Sequence, residues 1–130
     1  MKLESITDIG KLPSVLDVKE VSSRLIELVA VIRNTDVSTL QGAEAVNDLI
    51  SYQGYSTEEI SLDASKAVLD WVIETYDGNN NELVEWQTAN VVNLSRAEAI
   101  KFFKCRLAKN ITDFERKEIQ ECLGELGLTT

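Results

Sequence analysis

The sequence predicts an all-α fold, a compact single-domain bundle of five to six helices. Three observations carry that reading. Only one proline and six glycines interrupt 130 residues, too few chain breakers for the frequent turns of an all-β fold of this size. Apolar residues return at alternating steps of three and four, the period of a helix face rather than of a strand. Three sites place a Ser or Thr three residues ahead of a Glu, the spacing at which the two side chains satisfy orphan backbone donors at a helix start. The length suits one domain, residues 1–130, that can bury a core without staples. An apolar share of 44% with 27% charged residues is that of a globular chain and not of a disordered one. No self-similarity at 20–50 residues suggests a solenoid.

The elements follow in order. Pro13 and Ser14 open a first helix over about 14–33, whose Val18, Val21, Leu25, Leu28 and Ile32 form one seam. A second, near 39–52, gathers Leu40, Ala43, Val46, Leu49 and Ile50, and Gly54 is its natural stop. Ser56 with Glu59 caps a third, running to about Tyr76. There Ile60, Ala64, Ala67, Val68, Trp71 and Val72 keep helical period, while Leu62, Leu69, Ile73 and Tyr76 add a second apolar flank. Most of that circumference asks for burial, so the third helix is expected at the centre. The turn formers Asp77–Asn81 separate it from a fourth helix over about 82–92, where Leu83, Val84, Trp86, Val91, Val92 and Leu94 make a less regular pattern. Ser95 with Glu98 and Thr112 with Glu115 start two more, about 96–109 and 113–126, with Gly124 and Gly127 near the final stop.

Charge is distributed regionally. The chain carries 22 acids and 13 bases, a net charge of −9. Residues 1–40 and 95–130 nearly balance. Between 41 and 94 stand Glu44, Asp48, Glu58, Glu59, Asp63, Asp70, Glu74, Asp77, Glu82 and Glu85 against Lys66 alone, which accounts for the whole excess. On the third helix Glu59, Asp63, Lys66, Asp70, Glu74 and Asp77 fall at steps of three and four, a charged ridge on its remaining exposed face. Like charges so placed repel by a few tenths of a kcal/mol per pair, roughly, where a surface built for stability would interleave lysines. The bland reading is a solvated helix face; the functional one is a landing surface for a cationic partner. Glu59, Asp63, Asp70, Glu74, Asp77, Glu82 and Glu85 are the candidate partner-binding residues.

Chemistry is mostly excluded. There is no histidine, hence no imidazole base, ligand or triad. Asp70 and Glu74 lie one turn apart, yet exposed carboxylates lack the apolar pocket that tunes a catalytic acid. Asp77–Glu82 has oxygen side chains at loop positions one, three and five of a calcium hand, but Glu82 replaces the required glycine and Thr88 the closing glutamate. Ser61–Asp63 superficially resembles the serine of an acyl carrier, but Ile60 precedes it in place of Asp and Ser61 is expected inside the helix. Cys105 and Cys122, 17 residues apart, make no zinc site, and with no secretory signal they are expected reduced and buried. The bases Arg96, Lys101, Lys104, Arg106 and Lys109 flank Phe102 and Phe103, but helical spacing turns both rings inward, against a nucleic-acid footprint. No catalytic residue, metal or cofactor is expected.

No run of seven apolar residues forms a signal core near the start, and the richest segment, Leu25–Ile32, is broken by Glu27, so the expectation is a cytoplasmic chain without a membrane span. In charge, size and missing chemistry the chain is similar to the small acidic immunity proteins that neutralise bacterial nuclease toxins, with no motif shared. That likeness implies a non-catalytic inhibitor of a basic protein partner such as a nuclease toxin, docking on its cationic surface without contacting nucleic acid. The alternative is a scaffold, adaptor or regulatory subunit of a cytoplasmic complex. A small histidine-free enzyme ranks below both.

Overall fold

A computed structural model describes residues 2–54 and 57–128. After a short 3₁₀ helix at Ile6–Lys11 come six α-helices: α1 (Val18–Asn34), α2 (Thr39–Ser51), α3 (Leu62–Thr75), α4 (Asn81–Val92), α5 (Arg96–Leu107) and α6 (Asp113–Glu125). Among the described residues there is no strand. The all-α fold follows from the periodicity, and the helix count is as expected apart from the 3₁₀ turn. That turn is closed by Asp8, whose carboxylate accepts the amides of Glu4 at 2.9 Å and Ser5 at 3.1 Å. It sinks Leu3 and Ile9 into the core, an anchoring that no periodic pattern foretold.

Two helices begin later than their sequence signals suggest. Residues 14–17 stay non-helical, and α1 starts where Asp17 accepts the Glu20 amide at 2.8 Å. A carboxylate at the cap also complements the helix dipole, which Ser14 cannot do. For α3 the cap is Ser61, whose hydroxyl accepts the Ala64 amide at 3.3 Å. The proposed box partner Ser56 lies outside the described residues. Ser61 therefore stands at the start of the helix and not inside it, so against the acyl-carrier likeness only Ile60 still speaks. The α3 start is fixed from outside: the Ser61 amide donates to Ser22 Oγ on α1 at 3.0 Å. Similarly the Ser95 amide donates to Ser65 Oγ at 3.2 Å, tying the start of α5 to α3. Gly54, just after α2, adopts φ +65°, a backbone that an L side chain rarely takes.

The closest pairings are α1 with α3, α2 with α4, α4 with α6 and α1 with α2. The central helix is α4, which packs on α2, α3, α5 and α6; α3 packs closely on α1 and α4 only. The expectation of a central α3 fails because its second flank is only partly covered: Leu69 is buried and Tyr76 half-buried, but Leu62 is 53% and Ile73 61% exposed. In turn α4 buries Gln87, Thr88 and Asn90 beside Leu83, Val84 and Val91, which explains its irregular apolar pattern. Most of these polar atoms find partners within α4 or on α3, while Asn90 Oδ1 is buried without one among the described residues. Gln87 Nε2 donates to Thr75 Oγ1, Asn90 Nδ2 to Gln87 Oε1, and Thr88 Oγ1 to the Val84 carbonyl. Val21, Leu25, Leu28, Val46, Leu49, Val68, Val72 and Phe103 are fully buried at the middle of one hydrophobic cluster. No helix of the described residues is long and apolar enough to cross a membrane.

Candidate functional site

All seven candidate acids are exposed; of the expected third-helix ridge, Asp63, Asp70 and Glu74 lie on α3, while Glu59 and Asp77 fall just outside it. Glu59 precedes α3, and its carboxylate accepts the Arg96 amide at 2.9 Å, where Ser95 makes no side-chain cap. It thus caps α5 from a distance. Asp77 follows α3 and accepts the Asn79 amide at 3.0 Å, shaping the α3–α4 turn expected from its Asp and Asn residues. Glu74 is paired with Arg33 of α1 at 3.1 Å. Asp63, Asp70, Glu82 and Glu85 have no ion pair among the described residues. The ridge is shortened because α3 itself is shorter than its charge pattern.

Glu85 leads to a feature that the balanced charge of residues 95–130 conceals. An open groove of about 240 Å³ between α4 and α6 is lined by Glu85, Glu118, Glu121 and Glu125. No base lines it. Glu118, Glu121 and Glu125 recur at three and four along α6, with Cys122 between them at the floor. Partial burial pushes the Glu118 carboxyl above the ordinary glutamate range, and Glu121, Glu85 and Glu125 push it further, against Lys117. Cys122 is buried, and that burial raises its thiol to about 11. Helical period would have revealed the α6 triplet; net charge by region averaged it against nearby lysines and arginines.

The basic strip on α5 is divided between inside and outside. Phe102 and Phe103 are buried as expected. Arg106 turns toward α6 and grips Glu115, with Nε to Oε2 at 2.7 Å and Nη2 to Oε1 at 3.0 Å. Tyr76 donates its hydroxyl to Glu115 Oε2 at 2.8 Å, and the Arg106 guanidinium lies 4.9 Å from its ring centroid. Glu115 is 1% exposed. So Thr112 does cap α6 by accepting the Glu115 amide at 3.1 Å, but the glutamate side chain leaves the box for the arginine. Gly78 lies against the pair: a Cβ there would strike Glu115 Oε1 and stand 2.7 Å from Arg106 Nη2. Burial first, then Glu115, raises the Tyr76 phenol far above its usual range. It stays protonated and offers no base.

Beside this lock a second groove, of about 320 Å³, opens between α3 and α5. Leu69, Ile73 and Tyr76 form one wall and Phe102 and Cys105 the other, with Lys101, Arg106 and Lys109 around them. Cys105 is exposed, contrary to the expectation that both cysteines are buried, because it occupies the groove side of α5. Both cysteines are free. Among the described residues no group of three or more Cys, Asp or Glu side chains is placed to hold a metal.

The chain matches no protein-family model, no curated protein and no solved structure.

Proposed function

We propose that this chain is a non-catalytic, cytoplasmic binding protein that docks an acidic surface on a cationic protein, as an immunity-type inhibitor docks on a nuclease toxin. The observation that carries the reading is the α4–α6 groove, where Glu85, Glu118, Glu121 and Glu125 face one another with no base in the lining. Like charges held together raise the free energy of the unbound surface, and a partner's lysines or arginines relieve that repulsion on contact. Glu82 near the start of α4 and the unpaired Asp63 and Asp70 of α3 extend the negative field beyond the groove. Glu59, Glu74 and Asp77 are tied to the fold and contribute less to docking than their spacing suggested. A nuclease suits this chemistry because a surface that holds phosphate must itself be cationic.

Capture of basic proteins at low salt, followed by elution at high salt, supplies the partner for a direct measurement. With that partner, E85K/E118K/E121K is expected to slow association sharply while the helical circular dichroism is retained. D63K/D70K/E74K is expected to have a smaller effect, part of it from the broken Arg33 pair. An unchanged association rate in the first variant would eliminate the groove as the docking surface.

A further inference from the structure

The α3–α5 groove has a composition unlike the rest of the surface. Along α3, Leu69, Ile73 and Tyr76 recur at four and three, and opposite them Phe102 and Cys105 lie one turn apart on α5. The two helices meet through rings at this point, with Tyr76 and Phe102 edge-on at 5.6 Å, rather than by close backbone packing. The gap leaves Ile73 61% exposed, on a wall whose sequence reads as a core flank. Two cationic groups at one end have unspent capacity. Lys109 has no carboxylate partner among the described residues, and Arg106 gives Nε and Nη2 to Glu115, so that its Nη1 takes no part in that ion pair. In a chain of net charge −9, an apolar slot ending in two such cations is complementary to an anion with an apolar tail.

We propose that this groove binds a free single-chain amphiphile with one anionic head, of the medium-chain carboxylate class. The chain lies along Leu69, Ile73 and Phe102, and the carboxylate meets Lys109 and Arg106 Nη1. A small molecule fits better than a protein segment. Eight side chains line the groove, against roughly 20–30 per side in a stable protein interface. Its volume of about 320 Å³ lies at the lower end of small-ligand sites, roughly 300–1,000 Å³. The proposal is independent of the acidic docking groove between α4 and α6, with which it shares no lining residue.

Calorimetric titration with decanoate below its micelle concentration tests it, alongside neutral decanol, decyltrimethylammonium, and vesicles containing phosphatidylglycerol. Decanoate is expected to bind saturably at one site, more tightly than the neutral or cationic chain, and to raise the melting temperature. K109E is expected to weaken it roughly ten-fold, and I73E to weaken it comparably by placing a charge against the tail. K104E makes the same charge change on α5 outside the groove lining and should barely alter affinity. Bound decanoate should also slow alkylation of Cys105 by iodoacetamide, while buried Cys122 stays unreactive with or without it. The proposal is overturned if decanol or the ammonium binds as well as decanoate. It is equally overturned if K104E matches K109E, if Cys105 is not protected, or if binding occurs only to the vesicles.

Discussion

Arg106 and Glu115 show how burial makes the two ends of one ion pair unequal. The glutamate is 1% exposed and the arginine side chain 22%, so loss of the arginine strands a charge away from water, whereas loss of the glutamate leaves a guanidinium that can reach solvent. R106A is expected to cost about 3 kcal/mol or more and E115A less, with R106A/E115A more stable than R106A alone, as read by urea denaturation. Equal costs for the two single variants would contradict the asymmetry. Glu118 presents the opposite case, an acid whose surroundings disfavour its charge. Its folded-state pKa is raised, so the folded chain holds the proton more tightly than the unfolded chain, and stability declines as pH rises through and above the ordinary glutamate range. E118Q should therefore gain roughly 0.3 kcal/mol at neutral pH and show a flatter decline over that window; denaturation midpoints from pH 4 to 8, roughly, check both.

At the scale of elements, helix existence was legible in the sequence and helix onset only partly so. Thr112 and Asn80 cap α6 and α4 with their own side chains, accepting the amides of Glu115 and Leu83, and such local bonds are what spacing reports. The start of α3 has such a local cap too, with Ser61 Oγ accepting the Ala64 amide, but it is also held from outside. Ser61 is held by Ser22, 39 residues away, and α5 takes a cap from Glu59, 37 residues away; no window of local sequence contains those pairs. S61A is expected to cost about 1 kcal/mol. E59A is expected to cost a similar amount and to accelerate amide hydrogen exchange at Arg96 while leaving the α6 amides unaffected. Exchange that accelerates equally in both helices would show that Glu59 does not act as the local cap of α5. The exposed flank of α3 was also misread for a reason of this kind, since apolar period tells which side chains share a face but not whether another helix arrives to cover it.

At the scale of the whole molecule, the surplus charge of residues 41–94 is real, but it is spread over several surfaces. Asp70 borders the α1–α3 side, while Glu85 joins the glutamates of α6. A partner steered by this field should associate more slowly as salt rises, with little change in dissociation, because screening acts on approach more than on the closed contact. Stopped-flow measurement at about 50 mM and about 300 mM salt, which brackets Debye lengths of roughly 14 and 6 Å, separates the two rates. A salt-independent association rate would remove the electrostatic basis of docking. Of the seven candidate acids, Asp63, Asp70, Glu82 and Glu85 are exposed with neither an ion pair nor a backbone tie among the described residues, and Glu118, Glu121 and Glu125 join them only through the packing of α6 on α4.

By itself the sequence determined that the chain is all-α, roughly where its helices lie, that it lacks imidazole chemistry, and which segment carries the net charge. These are local or additive properties: backbone period, side-chain type and summed charge do not depend on which helices meet. Tertiary structure alone decided that α4 is central, that Glu59 caps α5, and that Arg106 locks Glu115 against Tyr76 and Gly78. It also set the glutamates of α4 and α6 around one groove and left a cation-ended apolar slot beside α3. Each of these depends on contacts between residues distant in sequence, and their geometry is fixed only when the helices pack.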